Sequence, residues 1–217
     1  MKKLYSNSYL VISLYLLFSF FIDILTSLTL NFSFSIGMIL RGILLIYFII
    51  GLLIKYKSRN NYIIIITLGI YSAIFLLINH NQSSIINLFK YNFVIILMQF
   101  LYNLYKNEDK KLNRNILTLC LLFYSFTIII AWITKTAANS YAIAKVGTVG
   151  WFNSANEVSA IISIIIAYIF VNLQKRINLI EIFTIIVSLF AAILIGTRLP
   201  LIIFLVCVLY LFIKKLI

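Results

Sequence analysis

Long apolar stretches alternate with short polar gaps along the whole chain, and the basic residues crowd into every second gap. A helix crosses a hydrocarbon core of roughly 30 Å with about 20 mostly apolar residues, and shorter spans are tolerated where helices pack together. Eight segments meet that condition, at 9–28, 36–54, 62–79, 86–105, 116–134, 158–173, 180–195 and 199–213, the last three being short. With 64% hydrophobic and 11% charged residues, a water-soluble globule is excluded. The expected fold is therefore all-α: a polytopic membrane protein of about eight transmembrane helices, forming one helical domain over 1–217.

Charge placement orients it. If the amino terminus is cytoplasmic, the inner gaps hold Lys2, Lys3, Lys55, Lys57, Arg59, Lys106, Lys110, Lys111, Arg114, Lys175, Arg176, Lys214 and Lys215, which is 13 of the 18 basic residues. Only Arg41, Lys90, Lys135, Lys145 and Arg198 stand on the outer side. Because positive charge is retained inside, both termini are expected in the cytoplasm. The net charge of +13 is then a topology signal, and no nucleic acid is needed to explain it. Residues 1–25 have the basic start and apolar run of a signal peptide, but Asp23 interrupts the run and no Ala-x-Ala site follows, so the segment reads as an uncleaved first helix. Isoleucine runs such as 63–66 are expected to be helical, since a lone strand in lipid leaves backbone groups unpaired.

Several chemistries are disfavoured. Cys120 and Cys207 fall within apolar helices, His80 stands alone, and no metal-ligand spacing or disulfide framework emerges. No glycine-rich phosphate loop is present, so the chain is not expected to be an ATP-driven pump by itself. Glu108 and Asp109 belong to a charge-rich inner loop and are expected to be solvated.

Ionisable groups at membrane depth are costly and mark candidate sites. Those singled out all gather on the outer side. Asp23 lies about five residues before the outer end of the first helix and Arg41 about five after the outer start of the second, so at ~1.5 Å per residue they match in depth. An Asp23–Arg41 ion pair is expected, structural or substrate-facing. Lys90 and Lys135 are expected to snorkel to the interface. Arg198 sits in Gly196-Thr197-Arg198-Leu199-Pro200, where Gly196 ends one short helix and Pro200 suits the first turn of the next. A guanidinium beside the free amides of a helix start makes an anion site, and an interfacial Arg in a plain re-entry turn is the alternative. The segment from Gly147 to Glu157 carries two Gly, two Asn and a Glu into an Ile-rich helix. Ser154 or Asn156 can cap that helix, Glu157 falls in its first turn, and Trp151 and Phe152 suit an interfacial aromatic belt.

In these residues the chain resembles the bacterial O-antigen ligase and polysaccharide polymerase superfamily. Gly150-Trp151-Phe152-Asn153-Ser154-Ala155-Asn156-Glu157 is similar to that family's Gly-aromatic-x-x-x-Asn-Glu segment at the outer start of a helix, and Gly196-Thr197-Arg198 to its Gly-Thr/Ser-Arg/Lys turn one helix later. The resemblance implies a multi-pass protein of the bacterial plasma membrane. It implies a glycosyltransferase of surface polysaccharide (capsule or exopolysaccharide) synthesis, moving a glycan from a polyprenyl-diphosphate carrier to an acceptor sugar without nucleotide sugar, cofactor or essential metal. Arg198 would neutralise the diphosphate, Asn156 and Glu157 would line the same cavity, and Arg41 and Lys145 would add positive charge; catalytic residues are not assigned. Family members also carry a large outer loop, a catalytic His and further helices after this turn, which 1–217 does not include. The expectation is thus an amino-terminal portion whose partners are the lipid bilayer, the lipid-linked glycan and a separately encoded carboxy-terminal half, with activity of this portion alone in doubt. Two competing readings are a lipid-linked glycan exporter, which the lack of a convincing internal repeat disfavours, and a noncatalytic membrane subunit.

Overall fold

A computed structural model describes residues 8–29, 35–79, 81–108, 113–141, 146–172 and 178–216. Among them, eight helices run in the order α1 Ser8–Leu28, α2 Ile36–Ile54, α3 Arg59–Ile78, α4 Gln82–Glu108, α5 Arg114–Ile133, α6 Ala155–Asn172, α7 Leu179–Ile195 and α8 Leu199–Leu216. The first five are long and apolar enough to cross a membrane, and α6, α7 and α8 contain shorter apolar spans. The isoleucine run at 63–66 lies inside α3, as expected.

One element departs from an all-helical reading. Between α5 and α6 the chain forms an antiparallel hairpin of β1 Ala138–Tyr141 and β2 Val146–Gly150. The two strands pair with each other, so the cost that forbids a lone strand in lipid does not arise.

The chain forms two compact units. The first takes the start of α1 and all of α2, α3 and α4. Its core is aromatic: Phe48 lies 4.9 Å from Phe100 and 6.3 Å from Phe93, ring centre to ring centre, and Tyr56 meets Phe100 edge-on at 5.4 Å. Polar ties cross between its helices, Asn92 Nδ2 donating to Ser72 Oγ at 2.8 Å and Lys55 Nζ to Ser8 Oγ at 3.1 Å. Lys90 and Arg41, both half-buried, belong to this unit.

The second unit takes the rest of α1, the hairpin and α5 to α8. Here α5 is the central element, packing on α6, α7 and β2. Its buried face includes Thr118, Ser125 and Ala131, and the buried face of α7 includes Thr184, Ser188, Ala191 and Ala192. Small side chains at helical spacing let two backbones approach closely where apolar surface alone gives no net drive, because lipid tails are equally apolar. Hydroxyls on these faces bond back to their own helices, Ser125 to Leu121 O at 2.8 Å and Thr184 to Ile180 O at 2.7 Å, which removes the cost of burying them.

Both α5 and α7 open on a side-chain cap, Asn113 accepting from Asn115 N and Asn178 from Ile180 N. In the first turns above these caps, Arg114 and Glu181 form an ion pair with Glu181 only 3% exposed. A pair between two helix starts sets α5 and α7 parallel. It lies at the end of the unit opposite the hairpin.

Candidate functional site

The hairpin gathers the candidate residues of the second unit. Its strand β2 is buried from Thr148 to Gly150 and touches α5, α6 and α7. Two glycines make that fit possible. Gly147 has φ +71°, and a Cβ there would lie 2.5 Å from the backbone oxygen of Ile195 and 3.1 Å from Ser140 Oγ. Gly150 has φ +72°, and a Cβ there would lie 2.9 Å from Ile128 Cα. Positive φ and backbone contact on this scale both require glycine. The strand is therefore wedged between the carboxyl end of α7 and the middle of α5.

The turn after α7 follows directly from that wedge. Ile195, against which Gly147 sits, is the last residue of α7, and Gly196 caps the helix in the left-handed conformation at φ +77°. Arg198 then accepts the first backbone bond of α8 from Ile202 N at 3.0 Å, which makes it the N-cap residue, and Pro200 falls in the first turn as expected. Arg198 and Gly196 are exposed, while Thr197 between them is buried at 7% exposure. Thr197 Oγ1 and Ser140 Oγ are both buried without a hydrogen-bond partner among the described residues. Two unsatisfied hydroxyls in the turn and the strand beside it give this end of the unit donors to offer.

At the far end of β2 the chain enters α6. Ser154 Oγ accepts from Glu157 N at 3.3 Å, so of the two residues able to cap this helix it is Ser154 that does so. Asn156 and Glu157 are exposed in the first turn. Strand β2 thus touches the last residue of α7, three positions before Arg198, and leads within five residues into α6. Lys135, exposed and at φ +58°, ends α5. Lys145 and His80 lie outside the described residues.

Aromatic residues behave differently from the expected belt. Trp151 is half-buried, with Nε1 donating to Thr136 Oγ1 at 2.8 Å, which ties the end of the hairpin to the end of α5. Phe152 is not interfacial: it is 2% exposed and stacks on Tyr124 of α5 at 5.1 Å between centres. The tight entry from Gly150 turns its ring inward, where an aromatic partner is worth more than a headgroup contact.

Tyr124 is the residue that sequence reasoning missed. Fully buried, it donates its phenol to Asp23 of α1, with Ser19 Oγ 3.4 Å away and Cys120 Sγ 3.7 Å from that hydroxyl in turn. A partly buried carboxylate at membrane depth gains from such a donor. Asp23 is thus connected through Tyr124 to Phe152 and the hairpin. No signal in the apolar run around Tyr124 pointed to this beyond the phenol's own need for a partner.

The family of O-antigen ligase like membrane proteins matches this chain over residues 4–217. The chain belongs to that family. Neither a curated protein nor a solved structure matches it significantly. Membership ties this multi-pass protein of the bacterial plasma membrane to glycan ligation or polymerisation at the membrane. The two segments on which the resemblance rests, Gly150–Glu157 and Gly196–Arg198, are the two that β2 holds at one end of the second unit.

Proposed function

We propose that the hairpin end of the second unit faces the outside of the plasma membrane and takes the diphosphate of a polyprenyl-diphosphate-linked glycan during its polymerisation or ligation to an acceptor sugar. The observation that carries this reading is the seating of Gly147 against Ile195 O, which joins the Asn156-Glu157 helix start to the Arg198 helix start. In the transfer, the acceptor hydroxyl attacks the anomeric carbon and the bond from that carbon to the diphosphate breaks. The charge that develops on the diphosphate is offset by Arg198, set at the amide-rich start of α8. Asn156 and Glu157 hold sugar hydroxyls, and Lys145 and Arg41, outer by the charge distribution, add positive charge on that side of the membrane. A topology with both termini cytoplasmic and all eight helices spanning follows from the charge distribution. The catalytic groups that Arg198 serves come from an outer loop on a separately encoded chain.

Polymer production in cells carrying only the variant gene tests the reading. Arg198→Ala is expected to cut it by about 100-fold, the scale of losing one preorganised charge donor, and Glu157→Gln by about 10-fold, at unchanged protein level. Full production by both variants overturns it.

A further inference from the structure

A second polar site lies in the first unit, at the turn from α2 to α3. There a cavity of about 410 Å³ opens between the α2–α3 turn and the last turns of α4. That volume falls within the range of about 300–1,000 Å³ typical of small-ligand sites. Among the described residues the lining includes Lys55, Lys57 and Lys106 and no acidic residue.

The floor of this cavity is built from carboxamides. Gln99, Asn103 and Asn107 recur every fourth residue, which places them on one stripe of α4. Asn61 of α3 faces that stripe: its Oδ1 accepts from Gln99 Nε2 at 2.7 Å and Asn103 Nδ2 at 3.1 Å, and its Nδ2 donates to Asn103 Oδ1 at 3.3 Å and to Tyr56 O. Asn61 is 1% and Asn103 5% exposed. Two buried amides paired in both directions are rigid, and both hydrogens of the Asn61 amide are spent inside the protein. The lysines around the rim are held as well: Lys55 Nζ lies 3.1 Å from Ser8 Oγ and 5.1 Å from the centre of the Tyr56 ring, and Lys106 Nζ lies 5.8 Å from the Tyr102 ring. Ser58 and Asn60, at the N-cap and first turn of α3, complete the lining, and a helix start favours an anion.

Snorkelling alone would spread such lysines around the helices and would not converge them over a fixed polar floor. We propose that this cavity binds a phosphate ester anion, carried by the headgroup of an anionic phospholipid or by a free phosphate. On the topology argued above it opens at the cytoplasmic side, at the inner end of α4. Lipid-bound phosphate is the better match, because Leu53 and Ile54 lead directly into the turn and bring the cavity to the apolar edge of the unit.

The full chain, purified and reconstituted in nanodiscs of phosphatidylcholine with a trace of phosphatidylglycerol, reads this out by native mass spectrometry of retained lipid; titration with inorganic phosphate in detergent forms the second arm. Wild-type protein is expected to retain phosphatidylglycerol over phosphatidylcholine, and Lys57→Gln/Lys106→Gln to weaken that preference on the order of 10-fold. Both lysines are exposed, so the double variant keeps its fold. Lys135→Gln removes one cation elsewhere and is expected to leave the preference unchanged. Loss of phosphate binding without a lipid preference assigns the site to free phosphate. Equal retention by wild type and double variant in both arms, or an equal loss in Lys135→Gln, overturns the proposal. A membrane-impermeant maleimide applied to cells expressing Lys57→Cys reads the sidedness separately, so an error in topology is distinguished from an absence of binding.

Discussion

Replacing Gly147 by alanine tests whether the hairpin and the α7–α8 turn form one object. Two costs add. At φ +71° an L-residue pays about 1–2 kcal/mol that glycine does not. The new methyl would also meet Ile195 O at 2.5 Å, and that partner is backbone, fixed in the last turn of α7, so no rotamer change relieves the contact. Separating β2 from α7 by the better part of an ångström resembles overpacking a core, at roughly 1–3 kcal/mol. The sum is about 2–5 kcal/mol. For a chain of this size each kcal/mol moves the melting temperature by about 2–4 °C, so Gly147→Ala is expected to melt roughly 4–20 °C below wild type.

Thermal unfolding of the purified full chain, followed by tryptophan fluorescence, measures this directly, since Trp151 stands beside the hairpin's end. Gly150→Ala is expected to behave alike, with its Cβ against Ile128 Cα at 2.9 Å. Gly69→Ala supplies the contrast: nothing lies within 4 Å of a Cβ there and the residue is inside α3, so the change is neutral or stabilises by about 0.5–1 kcal/mol. If Gly147→Ala melted within about 1 °C of wild type while keeping polymer production, the wedge of β2 against α7 would be refuted, and with it the geometric basis for treating the two motifs as one site.

Three further outcomes follow from the second unit. Tyr124→Phe removes the phenol that donates to Asp23 while keeping the ring stacked on Phe152; it is expected to destabilise by about 1–3 kcal/mol, read as a lower melting temperature, whereas an unchanged melt would mean that Asp23 does not depend on Tyr124. Glu181→Met leaves Arg114 without its buried partner and is expected to cost about 3–5 kcal/mol, while Arg114→Met/Glu181→Met recovers much of it; additive losses in the double-mutant cycle of Arg114→Met and Glu181→Met would deny the coupling. Lys135→Gly relieves the one left-handed non-glycine residue among the described positions, at the end of α5 where Thr136 N bonds to Ala131 O and Lys135 N to Trp132 O, and is expected to raise stability by about 1 kcal/mol.

What could be read from the sequence and what could not divide along physical lines. Helix positions were legible because each apolar stretch is continuous, is bounded by polar residues or glycine, and needs no partner to satisfy its backbone. A cap at Ser154 or Asn156 and the break at Gly196 and Pro200 were legible for the same reason, caps and stops being local; the structure decides the cap for Ser154. The hairpin was not. Ala138–Tyr141 and Val146–Gly150 show no strong alternation of apolar and polar residues, and β2 owes its place to buried contacts with α5 and α7 instead of to its own pattern. Glu181 in a first turn looks like an ordinary helix-start acid, and only packing α5 against α7 turns it into a buried partner for Arg114, 67 positions earlier.

The same reasoning explains why the two glycine-bearing motifs looked weak taken one at a time. Gly147 serves Ile195 and Gly150 serves Ile128, so each glycine is required by a residue in another helix, and neither requirement is written near it in the chain. In the proposed function, a helix start bearing Asn156 and Glu157 and a helix start bearing Arg198 form a single face, and the buried strand between them is what would set their separation. Phe152 stacked on Tyr124, and Tyr124 bonded to Asp23, carry that fixation to α1. A change at Tyr124 should therefore disturb the Arg198 face through β2 without touching either helix start.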